Sequence, residues 1–130
     1  MTPNFKEIEI NLNPDDIDKK IIADSKQIEQ VMLNLLINAA EAMKNKGKIF
    51  LAANINDKEN LCVIEVDDTG PGVPNDFKEQ IFEPFFSTKN TNGLGLAVSR
   101  GIIERHNGSM TVENNRFGGA KFIVTVPSAN

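Results

Sequence analysis

The stretch Gln30–Met43, QVMLNLLINAAEAM, carries its polar side chains on one line. Extended in both directions, Gln27, Gln30, Asn34, Asn38, Glu41 and Asn45 recur at steps of three and four, while nearly every other position from Ile28 to Met43 is apolar. That spacing predicts a long helix with a narrow polar stripe on a surface otherwise committed to a core. Asp24, with Gln27 three residues on, supplies the N-cap and capping-box pattern, and the helix is expected to run to about Lys44 and stop near Gly47. Lys or Glu would serve a solvent-facing stripe better, because asparagine competes for its own backbone. The asparagines therefore point to a site. Asn34 and Asn38, one turn apart, can aim their amide oxygens into one space, and neutral oxygens suit a magnesium ion that keeps its waters and phosphate contacts.

Downstream, Lys48 to Ile55 and Leu61 to Val66 alternate as strands around the polar loop Asn56–Asn60. The second strand runs into Asp68-Thr69-Gly70-Pro71-Gly72, where missing side chains let a flat ring approach the backbone. A carboxylate at Asp68 accepts hydrogen bonds only, so it suits the amino group of adenine and opposes the carbonyl of guanine. Asp67 is expected to be turn chemistry only. Asp76 to Ile81 is expected to form a short helix, and Phe82 to Asn92 lacks period and reads as a lid pinned by Phe82, Phe85 and Phe86. Within it, Thr88 and Lys89 offer a hydroxyl and a charge. Asn92-Gly93-Leu94-Gly95-Leu96 opens a second helix, expected from about Leu94 to His106 with Asn107-Gly108 as C-cap. Free amides at such a start can hold phosphate oxygens. Taken together, these segments predict an ATP pocket.

Towards the ends, Phe5–Ile10 and Lys19–Ala23 read as short strands at one sheet edge, separated by the turn-rich 11–16 segment. Ser109–Glu113 and Lys121–Val126 close the chain as strands around the turn at 114–119. Helices in the middle and strands in pairs predict an α+β fold, a two-layer α/β sandwich in which helices cover one face of a mixed, mostly antiparallel sheet. At 130 residues the chain is expected to be one domain, 1–130, with one core. A net charge of −4 leaves no field to hold a nucleic acid. Cys62, the single cysteine, excludes an internal disulfide and reads as packing on a strand. His106, the single histidine, stands at a helix end and reads as a capping residue. With no apolar run long enough to span a bilayer and no secretory h-region, the expected location is cytoplasmic, without membrane contact by this domain.

Over essentially its whole length the chain resembles the catalytic and ATP-binding domain of sensor histidine kinases, in the superfamily that includes gyrase, heat-shock chaperone and mismatch-repair ATPases. Asn34–Ala39 is similar to the family's N box, Asp68–Gly72 to its first glycine box, Phe82–Phe86 to its F box and Gly93–Leu96 to its second glycine box. The resemblance implies ATP and Mg2+ as cofactors, with Asn38 bridging magnesium and Asp68 anchoring adenine. Gly70, Gly72 and Val73 would lie against the base, and Gly93, Leu94, Gly95 and Leu96 would cradle the triphosphate. Water-splitting relatives carry a glutamate where Asn34 stands; an imidazole nucleophile needs no such base, so Asn34 favours a kinase. Glu41 and Ala42 replace the lysine and aromatic of many relatives, as in the nitrogen-regulatory-type subgroup, and Lys89 takes over that phosphate charge.

The resemblance implies transfer of the γ-phosphate to a histidine on a separate dimerisation and phosphoacceptor domain, in two-component signalling with a response regulator as indirect partner. Since no acceptor histidine is present, the chain is expected to be an excised or stand-alone catalytic domain, monomeric in isolation. Two other functions fit the same pocket: an ATPase of the wider superfamily, and a non-catalytic nucleotide-sensing, protein-binding module.

Overall fold

A computed structural model of the chain describes residues 7–12, 25–56, 58–84 and 95–127. Its elements follow the order β1 (Glu7–Leu12), α1 (Ser25–Ala42), β2 (Lys46–Asn56), β3 (Leu61–Asp68), two 3-10 turns (Asn75–Phe77 and Gln80–Phe82), α2 (Gly95–Arg105), β4 (Ser109–Asn114) and β5 (Ala120–Pro127). The five strands form one sheet in the order β1-β2-β3-β5-β4. Only β1 against β2 is parallel, and α1 is the connection that such a pair requires. This is the expected two-layer α+β sandwich with a mostly antiparallel sheet.

The alternation read in the strands sets which face is covered. In β5, Ala120, Phe122, Val124 and Val126 are buried while the intervening residues are half-exposed. Register aligns them with Val66, Ile64 and Cys62 of β3 and with Met110 and Val112 of β4. Against this face α1 presents Val31, Leu35 and Ala39 at four-residue steps, Met43 follows just past the helix end, and α2 presents Ile102 and Ile103. Each large side chain so covered contributes roughly 1.5–3 kcal/mol. Cys62 is buried on β3.

Several boundaries differ from expectation. The first helix ends at Ala42, not Lys44, and Gly47 lies inside β2 instead of stopping the helix. Lys44 and Asn45 take left-handed φ of 57° and 62°. Their amides reach back to Glu41 and Ala40 carbonyls at 3.1 and 2.8 Å, a Schellman closure made without glycine. The same pair of bonds closes α2 at Asn107 and Gly108, matching the predicted C-cap. No single helix spans Asp76–Ile81; i→i+3 bonds give two 3-10 turns in its place, so that stretch keeps a right-handed path without an α ladder. The first strand continues through Asn11 and Leu12, which were expected in a turn, because both remain paired with β2. The strand expected at Lys19–Ala23, the Asp24 cap and the lid from Phe85 to Asn92 lie outside the described residues.

Candidate functional site

Asp68, at the end of β3, is 1 % exposed, an unusual place for a carboxylate. The amides of Gly70 and Ala120 both donate to its Oδ1, at 2.9 and 3.1 Å. Its Oδ2 accepts no hydrogen bond from any other described residue. Burial raises the carboxyl's pKa above the ordinary range, the two amides oppose the rise, and the neighbouring Asp67 adds to it. An oriented carboxylate with one oxygen fixed and one available is suited to accept a single hydrogen bond from a ligand's donor.

That available oxygen belongs to a cavity of about 180 Å³ where the helix layer parts from the sheet. Asn38 and Ala42 of α1 line one side, Ala120 and Phe122 of β5 the floor, and Val73, Ile81 and Leu96 the apolar walls. Gly72, also in the wall, has φ +79°, and a Cβ there would meet Asn114 Oδ1 and the Gly118 carbonyl at 2.7 Å. Polar side chains are few among apolar walls, which suits a planar base with polar edges. Two other hollows are larger but chemically weaker. One of about 420 Å³ lies between the 3-10 turns and α2, where Arg100 pairs with Glu79 at 2.9 Å and covers the Phe82 ring at 4.4 Å. Another, of about 300 Å³, lies beside the stacked rings of Phe50 and Phe117.

The residues singled out by sequence separate into three groups. Asn38, Ala42, Asp68, Gly72, Val73 and Leu96 converge on the cavity. Gly70 stands beside it, its amide on Asp68, and Gly95 begins α2 next to Leu96. Glu41 is half-buried on α1 and is not part of the cavity wall. Thr88, Lys89, Gly93 and Leu94 lie outside the described residues. Asn34 does not share Asn38's space. It is 8 % exposed, and its Nδ2 donates to Ser99 Oγ at 2.9 Å and to the Gly95 carbonyl at 3.3 Å, while its Oδ1 accepts from Gln30 at 3.0 Å. Asn38 makes no side-chain hydrogen bond to another described residue. Among the described residues no three His, Cys, Asp or Glu side chains converge, so a divalent cation here would depend on Asn38 together with ligand oxygens and waters. His106 caps its own helix: Nδ1–H donates to the Ile102 carbonyl at 2.8 Å.

Sequence pattern alone does not mark the residues that hold this cavity in shape. Asn115, in the β4–β5 turn, donates through Nδ2 to Asp67 Oδ1, to the Asp68 carbonyl and to the Ala120 carbonyl at 2.9–3.2 Å. Its Oδ1 accepts the amides of Phe117 and Gly119, both at 2.9 Å. Asn114 brackets Val73 in the same manner, accepting its amide at 2.8 Å and donating to its carbonyl at 3.0 Å. Gly119 packs so close to Asp68 that a Cβ would collide with the aspartate's carbonyl and carboxylate. The only signal available was the Asn-Asn and Gly-Gly composition of the turn, which any exposed hairpin would share.

Residues 23–130 match the family described as histidine kinase-, DNA gyrase B- and HSP90-like ATPase. The chain is 42% identical over 112 residues to the sensor protein FixL of Bradyrhizobium diazoefficiens, covering 85% of this chain and 22% of that protein. It is 37% identical over 123 residues to the sensor histidine kinase ZraS of Salmonella typhimurium, covering 94% and 26%. The chain thus spans about a quarter of the length of these relatives. Among solved structures, a nucleotide-free catalytic domain of histidine kinase ThkA superposes with a TM-score of 0.82 at 36% identity, covering 93% of this chain and 80% of that one. ThkA in complex with the response regulator TrrA gives 0.80 at 36% identity, covering 94% and 34%, and full-length ShkA in complex with AMPPNP gives 0.81 at 32%, covering 95% and 26%.

Proposed function

The chain belongs to the histidine kinase-, DNA gyrase B- and HSP90-like ATPase family, and on that premise we propose that it is the ATP-binding catalytic domain of a two-component sensor kinase, which presents the γ-phosphate of Mg-ATP to a histidine on a separate phosphoacceptor domain. The observation that carries this reading is Asp68, buried at the cavity edge with Oδ1 fixed by two backbone amides and Oδ2 available. The adenine amino group donates to that oxygen. Guanine would set a carbonyl against it, two acceptors facing each other without a proton. Val73, Ile81, Leu96 and Phe122 enclose the ring, Gly72 keeps a side chain out of its plane, and Gly70 stands beside it with its amide on Asp68.

From the base, the nucleotide runs towards the start of α2, where the amides of Gly93 to Leu96 and the positive end of the helix dipole hold phosphate oxygens. Asn38, which α1 sends into the cavity, would hold magnesium through its neutral amide oxygen. Magnesium held there would supply charge neutralisation at the transferring phosphoryl group. Thr88 and Lys89 add a hydroxyl and a cation from the segment ahead of the second glycine cluster. The protein's part in the reaction is positioning and neutralisation, since an incoming neutral imidazole needs no base to attack phosphorus. Through the acceptor domain, phosphate would pass to a response regulator.

The test is to mix the chain with a histidine-bearing dimerisation domain and γ-labelled ATP. Acid-labile label on the acceptor, lost in Asp68→Asn, is expected. Steady phosphate release with no labelled acceptor would assign the domain to the water-splitting branch.

A further inference from the structure

We propose that Ser99 is a positioning residue for the phosphate end of the site, acting through Asn34 to set where the first turn of α2 stands against α1. This rests on the reading that the start of α2 holds the triphosphate. Ser99 is fully buried, and its hydroxyl oxygen receives Asn34 Nδ2 at 2.9 Å across 65 residues of sequence. The second Asn34 amide hydrogen has the Gly95 carbonyl, the first of α2, at 3.3 Å. Because a carbonyl can only accept, the carboxamide has one possible orientation: NH2 towards α2, oxygen towards Gln30. Both donors are thereby committed, and Asn34 presents none to a ligand.

Two consequences follow from where this link is placed. Leu96, one residue beyond Gly95, forms part of the cavity wall, so the distance that Asn34 fixes is also the distance between α2's leading turn and the cavity. Asn38, one turn along α1 from Asn34, is the polar side chain that this helix does send into the cavity. The link therefore registers the metal-facing asparagine on one helix against the phosphate-facing amides on the other. It touches nothing at the base end, where Asp68 is held by backbone amides of Gly70 and Ala120.

A residue that merely holds the fold would weaken every ligand alike; one that registers α2 should weaken phosphate binding selectively. The experiment compares the affinities of the 130-residue chain for Mg-ATP and for adenosine, by calorimetry and by NMR titration. Ser99→Ala is expected to lower ATP affinity roughly tenfold more than adenosine affinity, the scale of one buried hydrogen bond. Since a change at a fully buried position can disturb packing, Ser99→Thr and Ser99→Val are measured as a pair of equal shape. The threonine variant, which keeps the hydroxyl, should retain a higher ATP-to-adenosine ratio than the valine variant. An unchanged ratio in Ser99→Ala, or equal ratios in the pair, would overturn the assignment while leaving ATP binding intact. A wild-type chain that does not prefer Mg-ATP to adenosine would overturn both this and the reading beneath it.

Discussion

At the sheet end of the cavity Asp68 is held by main-chain amides, and the turn that supplies one of them is itself held by Asn115 through five hydrogen bonds. At the helix end Asn38 and Leu96 come from two helices joined by one side chain, Asn34 in the middle of α1, which donates to Ser99 and to the Gly95 carbonyl in the first turns of α2. The Ala120 amide cannot rotate away without breaking β5. A side-chain link can be changed singly, or reset by a small shift between helices. The base end is thus built to be invariant, while the phosphate end is built so that its spacing depends on how α1 and α2 pack.

The sharpest way to break this contrast is Asp68→Asn, which should keep both amide bonds to Oδ1 yet put a donor where the adenine amino group requires an acceptor. ATP affinity should fall roughly a hundredfold, the value of a lost hydrogen bond to a charged group of about 3 kcal/mol, while thermal melting at neutral pH stays level or rises. Wild-type affinity in calorimetry would remove Asp68 from base recognition. Asn115→Ala should cost about 2 kcal/mol of folding stability, read by urea unfolding, because it strands the Gly119 amide and the Asp68 carbonyl. It should weaken ATP and adenosine in equal proportion, in contrast to the ratio change expected for Ser99→Ala.

Asn38→Ala should reduce Mg-ATP affinity about tenfold and leave metal-free ATP binding nearly unchanged; equal losses with and without magnesium would deny the asparagine its metal. The smallest effect is in pH. Since burial holds the Asp68 pKa above its ordinary value, the native state keeps a proton that the unfolded chain has already released. This carboxyl's contribution to stability should therefore decline as pH rises from about 4 through the raised native value, then level off. Asp68→Asn should lack that slope in urea midpoints measured across the interval; a slope shared by both proteins would locate the titration elsewhere.

Much of the architecture was legible because it follows from local period. Alternation in Lys121–Val126 gives the buried face of β5, and four-residue steps from Val31 to Ala39 give the packed face of α1. The end of α1 is not legible in the sequence because Lys44 and Asn45, not glycine, take the left-handed turn, and side-chain type only biases that choice. Composition over 76–81 predicts one short helix, but its α ladder never forms.

Sequence by itself determined which chemistries are present: an acceptor-only carboxylate beside a glycine turn, carboxamides on a helix, and glycines before another helix. These are properties of residue type and near spacing. Tertiary structure alone decided what each asparagine does. Asn34 and Asn38 are the same side chain one turn apart, yet α2 crosses over the first and leaves the second facing the cavity. The partners that settle this, Ser99 for Asn34 and Asn115 for Asp68, lie 65 and 47 residues away, and no local pattern specifies a hydrogen bond that forms only when the layers close.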